Sequence, residues 1–246
     1  MNIKISVRSL VEFIFRSGDI SDSSSGTLSR EAMNAGSRIH RKLQKRAGSH
    51  YNSEVPLRYT EELGGHLITV EGRADGIIDR CGGEQEEPGD IDDGFDMAEG
   101  YAVDFHDSDV LIDEIKGIYR NLDDMESPQR VHVAQAMCYA YIYLKENNYS
   151  WIDVRRSYVS LDSEKEKFFR RRYSFGYLEK WFSSMMAELC KWIDLVEKHQ
   201  LMRNQSISDM EFPFEYRKGQ KEMALYVYRA IEQEKHLYVQ APTGIG

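Results

Sequence analysis

Two hydrophobic periodicities alternate along this chain in an order that leaves few architectures open. Ser6 to Arg16 carries Val7, Leu10, Val11, Ile14 and Phe15 at helical spacing, and a second helix is expected from about Ser29 to Ala47, with Ser29 as its N-cap. Glu54 to Thr60 and His66 to Ile78 read as an antiparallel hairpin around Glu61 to Gly65, and Pro56 points to an edge strand. Strand character returns at Val110 to Ile115. Helix character follows at Pro128 to Lys145, where Val131, Ala134, Cys138, Tyr141 and Ile142 form an apolar face. Trp151 to Leu161 and Lys167 to Ser174 read as another pair of strands, and a long helix runs from about Phe175 to Gln200. Helix, hairpin, strand, helix, strands, helix is the order of an α/β sandwich with a mixed central sheet.

The chain's 246 residues suffice for one large domain, or one domain and a fragment. Three cysteines, Cys81, Cys138 and Cys190, are too few and too widely spaced for an iron–sulfur cluster or a zinc site, so all three are expected as thiols. No stretch approaches the roughly 18 to 20 apolar residues of a membrane helix, and the N-terminus does not lead into a signal-like apolar region. No membrane partner is expected, and the chain should reside in the cytoplasm.

The net charge of −9 argues at first against a nucleic-acid partner. Its distribution reverses that: Glu84 to Asp109 holds 11 acidic residues and no Lys or Arg, leaving 30 of the 41 acidic residues to face 32 basic ones elsewhere. Residues 81–109, with five glycines and one proline, look like an acidic surface insertion. On the second helix Arg38, Arg41, Lys42, Lys45 and Arg46 recur at i, i+3, i+4, i+7 and i+8, a basic stripe that is either a solvated face or one that tracks phosphates.

Charged residues also stand where a strand would be buried. Asp75 interrupts Gly72-Arg73-Ala74-Asp75-Gly76-Ile77-Ile78, and in Asp113-Glu114-Ile115-Lys116 the period of two puts Glu114 and Lys116 on one face and Asp113 on the other. A hard cation such as Mg²⁺ takes a few oxygen ligands and keeps several waters. Asp75, Glu114 and the Ile115 carbonyl offer such a set, and Lys116 is placed to neutralise charge developing on a phosphate.

Asp75 after a glycine-containing strand, Glu114-Ile115-Lys116 on the next, Gln135 to Tyr139 on a following helix and Gly36-Ser37-Arg38-Ile39-His40 upstream together resemble the PD-(D/E)XK nuclease superfamily, particularly its RecB/AddB-type branch. The resemblance implies a restriction-endonuclease-like sandwich. It also implies Mg²⁺ or Mn²⁺ held by His40, Asp75, Glu114 and the Ile115 carbonyl, catalysis with Lys116, and a substrate lining from Gln135 and Tyr139, which are i and i+4 on one helix face. His132 shares that face but matches no motif. Phosphate contacts are expected from Arg38, Arg41, Lys42, Lys45 and Arg46, and from Lys165, Lys167, Arg170, Arg171 and Arg172.

Beyond a polar linker, residues 203–215, a helix at Tyr216 to Gln233 and a short strand at His236 to Gln240 lead into Ala241-Pro242-Thr243-Gly244-Ile245-Gly246. With Arg217 and Gln220, this segment resembles the start of a superfamily 2 helicase motor of the DinG/XPD type, in which Thr243, Gly244 and Gly246 would belong to a phosphate-cradling loop. The sequence ends one residue short of the lysine such a loop requires, so ATP is expected only in a longer protein. Residues 1–202 are then a metal-dependent DNA nuclease domain, acting on single strands or ends and linked in cis to a helicase motor. The alternative is a catalytically silent DNA-binding or regulatory module.

Overall fold

The computed structural model describes residues 1–15, 30–81, 109–119, 121–208, 210–211 and 213–241, with the backbone alone at 30–33. Most of the acidic insertion, the expected cap Ser29, and Thr243, Gly244 and Gly246 lie outside the described residues. The chain divides into two compact units, Met1–Asp194 and Leu195–Gly246.

The first unit is built on a six-stranded mixed sheet flanked by helices. Its elements are β1 (Asn2–Ser6), α1 (Val7–Phe15), α2 (Arg30–Arg46), β2 (Tyr51–Leu63), β3 (His66–Asp79), β4 (Val110–Ile118), α3 (Arg130–Asn147), β5 (Trp151–Ser160) and β6 (Glu166–Ser174), with α4 (Phe175–Ser208) following. β2 pairs antiparallel along β3 from Tyr51↔Ile78 to Leu63↔His66 and, among the described residues, with no other strand, which suits Pro56. The other edge of β3 is shared. β1 lies parallel to its first half, and β4 antiparallel to its last four residues, Gly76 to Asp79. β4 then pairs parallel with β5, and β5 antiparallel with β6.

The two faces of β4 meet different layers. Ile112 belongs to the main core with Val7, Leu10 and Val11 of α1, most of α3, and Leu178, Phe182 and Met186 of α4. Ile115, pointing the other way, packs with Ile39 and Leu43 of α2 and with Val159. The single apolar face expected on α3 is not what the structure shows: Val133 to Ile142 are buried without a break, because the helix has α1 and α4 above it as well as the sheet below. Ala134, Ala136, Cys138 and Ala140 keep that helix slim enough to be enclosed.

Asp113, on the α2 side of β4, is buried and fully served. Tyr51 Oη donates to it at 3.0 Å, Ser157 Oγ at 2.6 Å and Arg155 Nε at 3.0 Å, and Arg155 Nη2 completes a two-pronged ion pair. These donors come from β2 and β5, so one carboxylate ties three strands together.

Three further expectations are revised. β1 was not foreseen; Ile3 and Ile5 alternate too briefly to signal a strand without β3 beside them. α4 continues to Ser208, so Arg203 to Ser208, expected as linker, are helical. In the second unit α5 (Gln220–Glu232) forms, but His236 to Gln240 is not a strand: among the described residues there is no partner to take up its backbone hydrogen bonds.

Replacing Asp113 with Ala removes the paired charge and two hydrogen bonds from the buried Arg155, and breaking a buried pair in this way costs about 3–5 kcal/mol. Urea unfolding of the variant should show that loss with an unchanged m-value.

Candidate active site

The β3–β4 ladder stops at Gly76↔Asp113. One residue further the strands part, and a side chain takes over from the backbone: Asp75 Oδ2 accepts the Ile115 N–H at 2.7 Å. The Asp75 carbonyl in turn accepts Gln44 Nε2 of α2 at 2.9 Å. Gly76 is required here because a Cβ on it would lie 1.9 Å from the Tyr51 ring, the same tyrosine that reaches Asp113. Asp75 is thereby fixed at the crotch of a fork between two strands.

Glu114 stands beside it on the α3 side of β4, with only 1% of its side chain exposed. Its Oε1 accepts Lys116 Nζ at 2.5 Å, and its Oε2 has no hydrogen-bond partner among the described residues. Burial pushes the Glu114 carboxyl up to about 8, and the charge of Asp75 pushes the same way; Lys116 and His40 only partly offset them. The Lys116 side chain is 25% exposed, so its ammonium sits between a buried acid and solvent.

His40 arrives from α2, with Nδ1 3.5 Å from Asp75 Oδ1. Burial acts to lower its pKa, but the hydrogen bond and charge of Asp75 prevail and hold it above the ordinary histidine value. Gln135 and Tyr139 arrive from α3, both buried. The Tyr139 hydroxyl is hydrogen-bonded to the Gln135 side chain and the Arg73 backbone, and its ring rests on β3 where a Cβ at Gly72 would come within 2.8 Å. The structure thus brings His40, Asp75, Glu114, Ile115 and Lys116 to one fork, with Gln135 and Tyr139 bracing β3. His132 has a packing role: its Nδ1 lies 2.9 Å from Tyr158 Oη, which also accepts the Gln129 N–H at 3.1 Å, and burial lowers its pKa to about 4.

The basic residues divide. Arg38 and Lys42 reach Glu164 at 3.8 and 2.5 Å, and Arg46 reaches Glu166 at 2.5 Å, so this row of the stripe ties α2 to the β5–β6 turn. Arg41 and Lys45 lie exposed on the neighbouring row. Arg170 and Arg172, expected on phosphate, instead clamp the buried Asp153, because a carboxylate on β5 outbids solvent for them. Lys165 pairs with Asp123 at 3.1 Å, and Lys167 donates to the Leu122 carbonyl at 3.1 Å.

Glu54 was not anticipated. Its carboxylate, a ring nitrogen of His40 and the Asp75 carboxylate offer ligand atoms that all lie within 4.8 Å of one another. The signal was in the sequence: the two-residue loop Gly64-Gly65 sets a register that carries Glu54 opposite Asp75.

No protein-family profile matches this chain, and no curated protein sequence is significantly similar to it. Among solved structures, that of SSO0001 is similar at a TM-score of 0.43 and 15% identity, over 75% of each chain. The alkaline exonuclease LHK-Exo from Laribacter hongkongensis is similar at a TM-score of 0.38 and 12% identity, over 81% of this chain and 94% of its own. The same exonuclease in complex with dAMP gives 0.39 and 13% over the same shares.

Glu114 sets a pH dependence for the metal-free protein. Its folded pKa of about 8 lies above the ordinary 4.5, so the folded chain holds this proton more tightly than the unfolded chain. Its contribution to stability is complete below pH 4.5 and is lost as pH rises through 8. Denaturant midpoints measured in EDTA should therefore fall across that range, and fall less in Glu114→Gln.

Proposed function

We propose that residues 1–202 are a divalent-metal-dependent DNA nuclease domain of the PD-(D/E)XK type, hydrolysing phosphodiesters in single strands or at ends. We propose further that they work in cis with a DinG-like helicase motor begun by residues 216–246, in cytoplasmic DNA repair or processing.

The observation that carries the nuclease reading is Glu114: a buried carboxylate with one oxygen on Lys116, the other unpartnered, and a second acid beside it. An oxygen left in that state is costly, and a cation reaching it removes the cost. The residues fit a hard ion, since Asp75 and Glu114 supply oxygens and His40 a nitrogen. When bound, Mg²⁺ or Mn²⁺ would polarise the phosphate and acidify a water. Glu114 must release its proton for this, so binding is coupled to pH. Lys116, anchored on Glu114, keeps its ammonium at the mouth of the fork, where it can orient the attacking water and neutralise charge on the scissile phosphate. Asp75 is held in place by the Ile115 amide. Arg41 and Lys45, both exposed, would meet the DNA backbone.

The motor reading rests on the sequence alone, on the resemblance carried by Arg217, Gln220 and the run Ala241 to Gly246.

The test is cleavage of end-labelled single- and double-stranded DNA in EDTA, Mg²⁺ or Mn²⁺ by the parent, Asp75→Ala and Lys116→Ala. The parent should cut only with metal, and each variant should lose on the order of 10²-fold or more, the scale of one removed electrostatic group. DNA bound but uncut with either metal would replace the nuclease with a silent binding module.

A further inference from the structure

Ser53↔Gly76 and Val55↔Ala74 are partners in the β2–β3 ladder, so the register brings Glu54 beside Asp75 at a position where the ladder itself is interrupted. Like charges facing each other on adjacent strands repel. Asp75 is served by the Ile115 N–H at 2.7 Å and by His40 Nδ1 at 3.5 Å, but Glu54 is weakly served: Arg73 Nη1 stands 3.6 Å from it with most of its side chain in solvent, and Gln44 Nε2 donates to its Oε1 at 3.3 Å. Glu54 also holds a backbone φ of 57°, the left-handed region that a glutamate in a strand avoids.

A separate observation says what is missing. In the same fork the Glu114 side chain is 99% buried, judged from its 1% exposure, and its Oε2 has no partner among the described residues. His40, Glu54 and Asp75 offer ligand atoms within 4.8 Å of one another, and Glu114, bonded to Lys116, lies close enough to feel the charges of Asp75 and His40. Such a set is short of positive charge and rich in oxygen, the pattern of a hard-cation site.

We infer that Glu54 supplies a further carboxylate to the divalent cation held by His40 and Asp75, so that the hairpin strand β2 is part of the ion's shell. This rests on the nuclease reading for the presence of a cation, and adds to it a ligand on an element outside the Asp75, Glu114 and Lys116 set. The Glu54 carboxylate, on a left-handed backbone, offers a ligand atom within 4.8 Å of those of His40 and Asp75.

The experiment is a Mn²⁺ titration of the whole chain followed by electron paramagnetic resonance of the free ion, with the parent, Glu54→Gln and Glu54→Gly. Melting curves in EDTA and DNA cleavage by the parent complete it. Both variants should bind Mn²⁺ about tenfold or more weakly, the scale seen when groups supporting a metal site are removed. Glu54→Gly should melt no lower than the parent in EDTA, because glycine accepts a positive φ without strain. Parental affinity in both variants would overturn the inference, and if the parent still cuts DNA with metal, the nuclease reading survives alone. A lower melting point in Glu54→Gly with unchanged affinity would also overturn it, making Glu54 structural. A parent that neither binds Mn²⁺ nor cuts DNA would overturn both.

Discussion

The hydrogen bond from the Ile115 N–H to the Asp75 carboxylate, 2.7 Å long, closes the point at which β3 and β4 stop pairing. Had the backbone ladder continued there, the acids would lie along an ordinary strand edge. Because a carboxylate substitutes for a peptide carbonyl, the strands part around it and Asp75 is held between them. His40 reaches its other oxygen from α2, Tyr139 rests on β3 from α3, and Glu114 is one residue away along β4. The two layers on either side of the sheet can meet at one place only because the sheet is split there.

Asp113 and Glu114 are chemically alike and adjacent, yet the alternation of β4 gives them opposite surroundings. Asp113 receives donors from Tyr51, Arg155 and Ser157 and holds three strands together. Glu114 receives one ammonium and keeps an oxygen unpartnered, so burial raises its pKa. The first is where the fold is stabilised. The second is where it stores a demand for positive charge, the arrangement typical of functional sites.

Much of this was legible in advance because periodicity reports burial. The hairpin, the strand after the insertion, the split between Asp113 and Glu114, and a helix carrying His40 all follow from which residues can face a core. What escaped depended on partners elsewhere in the chain. β1 is a strand only because β3 lies beside it, and α3 lacks an apolar stripe because it is enclosed on several sides. The basic residues looked alike in sequence, but Arg170 and Arg172 are held by Asp153 across the β5–β6 pair, a contact that no spacing rule encodes. Glu54 escaped because its importance lies in the residue opposite it, and only the register set at Gly64-Gly65 supplies that.

The central claim is that the β3–β4 fork is built around a cation. Anomalous diffraction from crystals soaked in Mn²⁺ tests it most directly. The account predicts a peak within coordination distance of the Asp75 and Glu114 carboxylates, with Lys116 still bonded to Glu114. A fork without a peak, with Mn²⁺ bound elsewhere on the chain, would contradict it.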